Sequence, residues 1–206
     1  LWLQLWKNHS ARQLLSGYTS HNWELLGMWT WAPALIAASF VLSGATTAAA
    51  TQWSAHFITV LHLGGALAAY TMGRLSDRIG RRAILIWVAV IAAGFSFGIG
   101  WTVTWTPYLV AMLVVIYSFF AIGDSPVLST AMAERVEPGT LGAMLAARSV
   151  TGFVTGAISP VVVGWVIDTL RVGGAGDTLV WGPAFATLGL GGVLAVCFAL
   201  RLPRDR

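Results

Sequence analysis

Six long apolar stretches constrain the fold of this chain more than any other feature. Each has about the 20 mostly apolar residues that a helix needs to cross the hydrocarbon core of a bilayer. The stretches are approximately Gly17–Leu42, Thr51–Met72, Ala83–Val103, Pro107–Ala133, Gly142–Ile167 and Leu179–Leu200. Membrane-spanning strands are a poor alternative, because the stretches are too long and do not alternate apolar with polar residues. The pattern predicts an all-α polytopic membrane protein, folded as a bundle of six transmembrane helices.

The composition excludes an ordinary soluble domain. Hydrophobic residues make up 57% of the 206 residues and charged residues 10%, and the mean hydropathy is +0.75. A soluble domain carries about 25% charged residues. The net charge of +4 does not indicate nucleic-acid binding, because the basic residues cluster at the ends of the spans instead of covering one face. The single cysteine, Cys197, excludes an intrachain disulfide, and we expect it to be a small buried hydrophobe.

The positions of Lys and Arg predict the orientation in the membrane. If the N-terminus is cytoplasmic, ten of the twelve basic residues lie on the cytoplasmic side: Lys7, Arg12, Arg74, Arg78, Arg81, Arg82, Arg135, Arg201, Arg204 and Arg206. Arg171 falls on the other side and Arg148 falls within a span. The positive-inside rule then places both termini in the cytoplasm. We expect residues 1–16 to form a cytoplasmic linker or interfacial segment, residues 17–200 the bundle, and residues 201–206 a cytoplasmic tail.

A charged connection separates the second span from the third. Residues 73–82 read Gly-Arg-Leu-Ser-Asp-Arg-Ile-Gly-Arg-Arg and hold four of the twelve basic residues. So much charge cannot enter hydrocarbon, so we expect a tight turn outside it. Gly73 and Gly80 would supply backbone freedom, and Asp77 could cap a helix or pair with an arginine.

This string resembles the signature loop of the major facilitator superfamily, which joins the second and third helices of each six-helix half of those transporters. It matches the pattern G-x-L-x-D-R-x-G-R-R throughout. In the family, the acidic residue and the arginines of the loop form a charge network that holds the outward-facing state. The resemblance implies this role for Asp77, Arg78, Arg81 and Arg82, with Glu134 or Glu137 as the nearby acceptor.

Further strings resemble the second half of one bacterial subgroup of the family. They are Tyr18–Trp29, Asp124-Ser125, Glu134–Pro138, Gly152-Phe153 and Ile158–Pro160. The resemblance implies helices seven to twelve of a twelve-helix transporter in a bacterial inner membrane. The chain opens at Leu1 instead of Met, so we expect it to be part of a longer protein whose other six-helix half is its partner. A first-half assignment stays open, because the same loop occurs in both halves.

Three ionisable residues fall well within the predicted spans: Glu24, Asp124 and Arg148. On a rise of about 1.5 Å per residue, Glu24 lies roughly 10–12 Å from the cytoplasmic end of its span, Arg148 about 10–13 Å and Asp124 about 16 Å. Intramembrane charges are rare and usually face a cavity or a partner. We expect Arg148 to compensate Glu24 or Asp124, one of which could titrate and couple proton entry to transport. A static ion pair is the alternative.

Other polar residues join these as candidates for the substrate or coupling site. They are His21, Asn22 and Tyr117, with Tyr18, Gln52 and His56 on the helices expected to face the same cavity. The four histidines of the chain lie at different depths, so no metal site is expected, and no motif indicates a cofactor.

One face of the fifth span carries small residues at a spacing of about one turn: Gly152, Gly156, Pro160 and Gly164. In lipid, close backbone approach at such positions drives helix packing. Pro160 is also expected to kink the helix. We therefore interpret these residues as packing positions.

These observations favour secondary active transport of a small solute by alternating access, and we expect coupling to a proton or another ion. The expected partners are the solute, the coupling ion and membrane lipid, with no nucleic acid. A membrane scaffold or receptor that does not transport is the second hypothesis. A membrane-embedded enzyme is the third, although no H-E-x-x-H or G-x-S-x-G motif is present. The identity of the solute and the mode of coupling stay open.

Overall fold

A computed structural model describes residues 7–204 of the chain. Six long helices account for most of this range, and no strand occurs within it. The helices are α1 (His9–Leu42), α2 (Thr47–Ile79), α3 (Arg81–Ile99), α4 (Pro107–Arg135), α5 (Pro138–Val172) and α6 (Asp177–Leu200), with a short 3₁₀ turn at Gly100–Thr102 after α3. All six are long and apolar enough to cross a membrane, counting α3 together with its 3₁₀ turn. The predicted class, an all-α bundle of six membrane-spanning helices, is confirmed.

Local sequence signals explain where several helices begin. The Asn8 side chain accepts a hydrogen bond from the backbone N–H of Ala11 at 3.0 Å and caps α1. Thr46 caps α2 in the same way, through the N–H of Ala49. Proline begins α4 and α5, where its missing N–H costs no intrahelical hydrogen bond.

The connection between α2 and α3 is much tighter than the predicted ten-residue turn. The helix α2 continues through Gly73 to Ile79, and α3 starts at Arg81, so Gly80 alone separates them. Gly80 has φ +98°, a conformation that residues with a Cβ rarely adopt. The turn prediction was therefore wrong for Gly73 and right for Gly80. Charge in a sequence marks where a chain leaves hydrocarbon, but a helix can continue into water. An ion pair between Asp77 and Arg81 spans the turn.

The ends of the bundle extend further than the predicted spans. The predicted boundary at Gly17 falls inside α1, and Ala11 and Leu14 are already buried there. At the other terminus, Leu202 is 4% exposed and packs against the same part of the core. Residues 1–6 of the predicted N-terminal segment and residues 205–206 of the predicted tail lie outside the described residues.

The helix α1 occupies the middle of the bundle, where it packs against α2, α4, α5 and α6. The helix α3 packs mainly against α6 and α4, and α2 packs mainly against α4. Large apolar side chains are exposed along α2 and α5, for example Leu63 (69%) and Trp165 (68%). These two helices therefore form the sides of the bundle that have least cover from the other described helices.

Both ends of the described chain lie at one end of the bundle. Asn8 Nδ2 donates to the carbonyl of Arg135 at 2.9 Å, and Arg82 Nη2 donates to the carbonyl of Leu200 at 2.9 Å. The Gly80 turn is therefore at this end as well. We call it the basic end, because it carries most of the arginines.

Cys197 lies on α6 and is exposed. The expectation that it is buried was wrong. A cysteine on the outer side of a membrane helix can face lipid instead of protein, and an apolar sequence does not distinguish these two surroundings.

Candidate functional site

His21 and Asp124 form a buried ion-pair contact between α1 and α4. Nδ1 of His21 lies 2.7 Å from Oδ1 of Asp124, and the two side chains are 3% and 7% exposed. The contact is short and shielded from water, which strengthens its electrostatic attraction. The sequence singled out both residues but did not predict that they pair.

Glu24 lies one turn further along α1 and is also buried. Its Oε1 accepts hydrogen bonds from Ser96 Oγ at 2.6 Å and from Tyr117 OH at 3.2 Å, and these two hydroxyls are 2.5 Å apart. Its Oε2 faces Gly192 of α6, where a Cβ would come within 2.9 Å of it. The carboxyl group of Glu24 therefore bonds to side chains of α3 and α4 and lies close to α6.

Arg148 does not pair with either carboxylate, and the prediction that it compensates Glu24 or Asp124 was wrong. Its guanidinium lies over the ring of Tyr18, 4.2 Å from the ring centroid, and Nη1 donates to Ser129 Oγ at 2.5 Å. The helical rise gives the depth of a residue but not the direction of its side chain, so similar depth did not establish contact. Arg148 still lies near the pair, because the Tyr18 ring that it covers lies beside the His21 ring at a centroid distance of 5.6 Å.

We call the buried residues His21, Glu24, Ser96, Tyr117 and Asp124 the polar cluster. The sequence did not predict two serines: Ser96, which belongs to the polar cluster and binds Glu24, and Ser129, which binds the nearby Arg148. In the sequence, Ser96 carries the one hydroxyl group of the otherwise apolar run Ile84–Ile99. Such serines often bond only to the backbone of their own helix, so this position did not indicate a site.

Asn22 lies beside the polar cluster without joining it. Its Nδ2 donates to the carbonyl of Tyr18 at 2.9 Å. A Cβ on Gly152 would lie 2.8 Å from this nitrogen, so Asn22 belongs to the contact between α1 and α5.

The small residues of α5 lie against α1. A Cβ on Gly152 would lie 2.7 Å from Tyr18, one on Gly164 would lie 3.0 Å from Trp31, and one on Gly156 would overlap Leu26. The carbonyl of Pro160 accepts a hydrogen bond from Trp31 Nε1 at 2.9 Å. These positions therefore set how closely α5 approaches the helix that carries His21 and Glu24.

Arg81 joins three elements at the basic end. Its Nη1 contacts Asp77 Oδ1 at 2.5 Å, and its Nη2 contacts Glu134 Oε1 at 2.9 Å. Arg81 Nη1 also donates to Ser76 Oγ at 2.5 Å. The residues border an open cleft of about 840 Å³, which Arg78 also lines.

The remaining candidates do not reach the polar cluster. Glu137 is exposed and precedes the first turn of α5. Gln52 and His56 are exposed on α2, where the His56 ring packs against Trp53.

The polar cluster is suited to holding and moving protons. Burying a charge is costly unless it is paired, and Glu24 has hydroxyl partners but no cation within ion-pair distance among the described residues. The His21–Asp124 pair likewise changes its net charge when either group gains or loses a proton. Within residues 7–204, no three His, Cys, Asp or Glu side chains come together as a metal site would require.

No protein-family model matches this chain, and no curated protein matches it.

Proposed function

We propose that this chain is one six-helix half of a secondary active transporter of the major facilitator type, which moves a small solute by alternating access with a coupled proton. The observation that carries the proposal is the polar cluster: two carboxyl groups and a histidine, all buried, in the middle of a bundle of membrane-spanning helices. Ionisable residues inside a membrane bundle usually mark the path of a substrate or ion.

The charged connection at the basic end supports the same proposal. Arg81 contacts both Asp77 and Glu134, and a network of this kind is what the resemblance implies. Each such pair is partly hydrated and contributes about 0–1 kcal/mol. A network that forms in one state and breaks in the other can nevertheless shift the balance between the states. In this proposal, the basic end faces the cytoplasm of a bacterial cell.

The exposed apolar sides of α2 and α5 fit a second six-helix bundle. In transporters built from two such halves, the solute binds between them near the middle of the bilayer. The polar cluster would then be the part of the site that this half contributes. The solute itself is not specified by these residues.

The test is uptake by the full-length protein in proteoliposomes. A panel of labelled sugars, amino acids, nucleosides, organic anions and organic cations is screened with and without an imposed pH gradient. We expect at least one solute to accumulate only when the gradient is present, and we expect Asp124→Asn to abolish that accumulation. Asp168→Asn is the matched control, because it makes the same chemical change at an exposed position on α5. A full-length protein that moves no solute of the panel, with or without a gradient, would favour the scaffold or receptor hypothesis.

A further inference from the structure

A narrow cavity lies between Asp124 and the basic end. It is bounded by α1, α3, α4 and α6, and its polar side chains are Gln13 and Asp124. The rest of its lining consists of leucine, alanine and glycine, including Leu128 and Ala199. Gln13 precedes His21 by eight residues, which is about 12 Å of helical rise. The cavity therefore runs from the pair at the centre of the bundle toward the end where both termini lie.

Two buried oxygen atoms belong to the polar residues of this cavity. Oε1 of Gln13 has no hydrogen-bond partner among the described residues, and Oδ1 of Asp124 contacts Nδ1 of His21 at 2.7 Å. A carboxylate oxygen has two lone pairs, so Oδ1 can accept a further hydrogen bond. Unpaired buried acceptors are rare, because each has given up its hydrogen bonds to water. Water is the molecule that fits such a place, since it brings two O–H donors and little volume. The room for water in the cavity is about 10 Å³, which matches one molecule.

We propose that this cavity is an internal water site, and that its water carries protons between the basic end and Asp124. A proton arrives as hydronium past Gln13, binds to the Asp124 carboxylate and leaves a neutral water behind. One resting water covers only part of the distance, so a second water must enter past Gln13 for each transfer. The small volume of the cavity limits this path to single water molecules.

The residues around the His21–Asp124 pair support proton entry from the basic end through this cavity. Among the described residues, the other ionisable groups that act electrostatically on His21 are Glu24 on α1 and Arg148 on α5. The parts of α3 and α6 that line the cavity are apolar. Among the described residues, Asp124 is thus the one ionisable group on the cavity wall, and in this proposal a proton that enters from the basic end meets it first. The role in coupling rests on the proposed transport function, whereas the water site does not.

The experiment uses the full-length protein in nanodiscs and two readouts that need no solute. The first is hydroxyl-radical labelling, in which bound water generates radicals that modify the nearest side chains. Leu128 is 4% exposed, so labelling there reports internal water.

Three variants test the site. Ala199→Leu fills the cavity. Gly17→Ala is the milder filler, because its new Cβ would lie 3.7 Å from Leu128 in ordinary contact and so should not prevent folding. Ala66→Leu, at an exposed position on α2, is the matched control.

We expect Leu128 to be labelled in the wild type and in Ala66→Leu, and labelling to fall at least fivefold in Gly17→Ala and Ala199→Leu. Absence of labelling in the wild type, or equal labelling in all four proteins, would overturn the water site.

The second readout is the rate of proton uptake after a pH jump, followed with a soluble pH dye. The proton uptake that depends on Asp124 is the difference in uptake between the wild type and Asp124→Asn. We expect Gln13→Leu and Gly17→Ala to lower the rate of this Asp124-dependent proton uptake at least tenfold. An unchanged rate would overturn the proton route. A protein that shows both effects but transports no solute would retain the water site and lose the proposed function.

Discussion

Asp124 of α4 and His21 of α1 meet at 2.7 Å in the interior of the bundle, with almost no exposure of either side chain. The pair joins the central helix to the helix that carries Tyr117, which is itself bonded to Glu24. Breaking a buried ion pair by removing one partner costs about 3–5 kcal/mol, because the other charge is left uncompensated. The same contact is therefore a structural link and a place where one proton changes the balance of charge.

A double-mutant cycle measures this link. Asp124→Asn and His21→Gln are each expected to destabilise the protein, and the double variant is expected to be more stable than the sum of the single effects by about 1–3 kcal/mol. Reversible unfolding in mixed micelles provides the free energies. Additive effects would contradict a direct interaction between the two side chains. Asp124→Asn with His56→Gln, which changes an exposed histidine, is the control cycle and is expected to be additive.

Glu24→Gln separates the charge of this side chain from its hydrogen bonds. The amide oxygen can still accept from Ser96 and Tyr117, so we expect a stability loss of about 1 kcal/mol or less. We expect uptake driven by a pH gradient to be lost, while exchange of solute without a gradient continues. Tyr117→Phe, which removes one hydroxyl and no charge, should keep gradient-driven uptake. Loss of gradient-driven uptake in Tyr117→Phe and its retention in Glu24→Gln would contradict the role given to the carboxyl group.

Close packing of α5 on α1 is tested by adding one methyl group. Gly156→Ala places a Cβ inside the space occupied by Leu26, whereas Gly142→Ala, on the same helix, has no neighbour within 4 Å. We expect Gly156→Ala to lower the free energy of unfolding by about 1–3 kcal/mol. Gly142→Ala should raise it by up to about 1 kcal/mol, because alanine is the better helix former. Equal effects of the two changes in thermal unfolding would show that this contact is not tight.

The network at the basic end should affect transport more than stability. We expect Asp77→Asn and Glu134→Gln to slow turnover severalfold with normal membrane insertion, because each removes a partner of Arg81. Each should change the free energy of unfolding by no more than about 1 kcal/mol. Glu137→Gln is the control, since Glu137 was an equal candidate by sequence but does not contact Arg81 among the described residues. Wild-type turnover in Asp77→Asn would contradict the proposed network.

The number, order and approximate extent of the helices could be predicted from the sequence, because apolar length and turn residues are local properties. The missed boundaries have one cause: helices here continue beyond the hydrocarbon, as α1 does from His9 and α2 does to Ile79. Hydropathy reports where the chain is apolar, and a helix does not have to end where it leaves lipid.

Most members of the candidate site could be named from sequence, but their pairing could not. Ionisable residues in apolar runs are conspicuous, so Glu24 and Asp124 were evident. Which of them meets a cation depends on how each helix is rotated about its axis, and glycine contacts such as Gly152 on Tyr18 set that rotation. In the structure the histidine, and not Arg148, lies against Asp124.

The most direct test of the central claim is simultaneous measurement of solute and proton movement by the full-length protein in proteoliposomes, using whichever solute the uptake panel identifies. We expect addition of that solute to move protons across the membrane in a fixed ratio to solute in the wild type and in Asp168→Asn. We expect this linked proton movement to disappear in Asp124→Asn and in Glu24→Gln. Unchanged proton movement in both of these variants would place coupling outside the polar cluster and contradict the account.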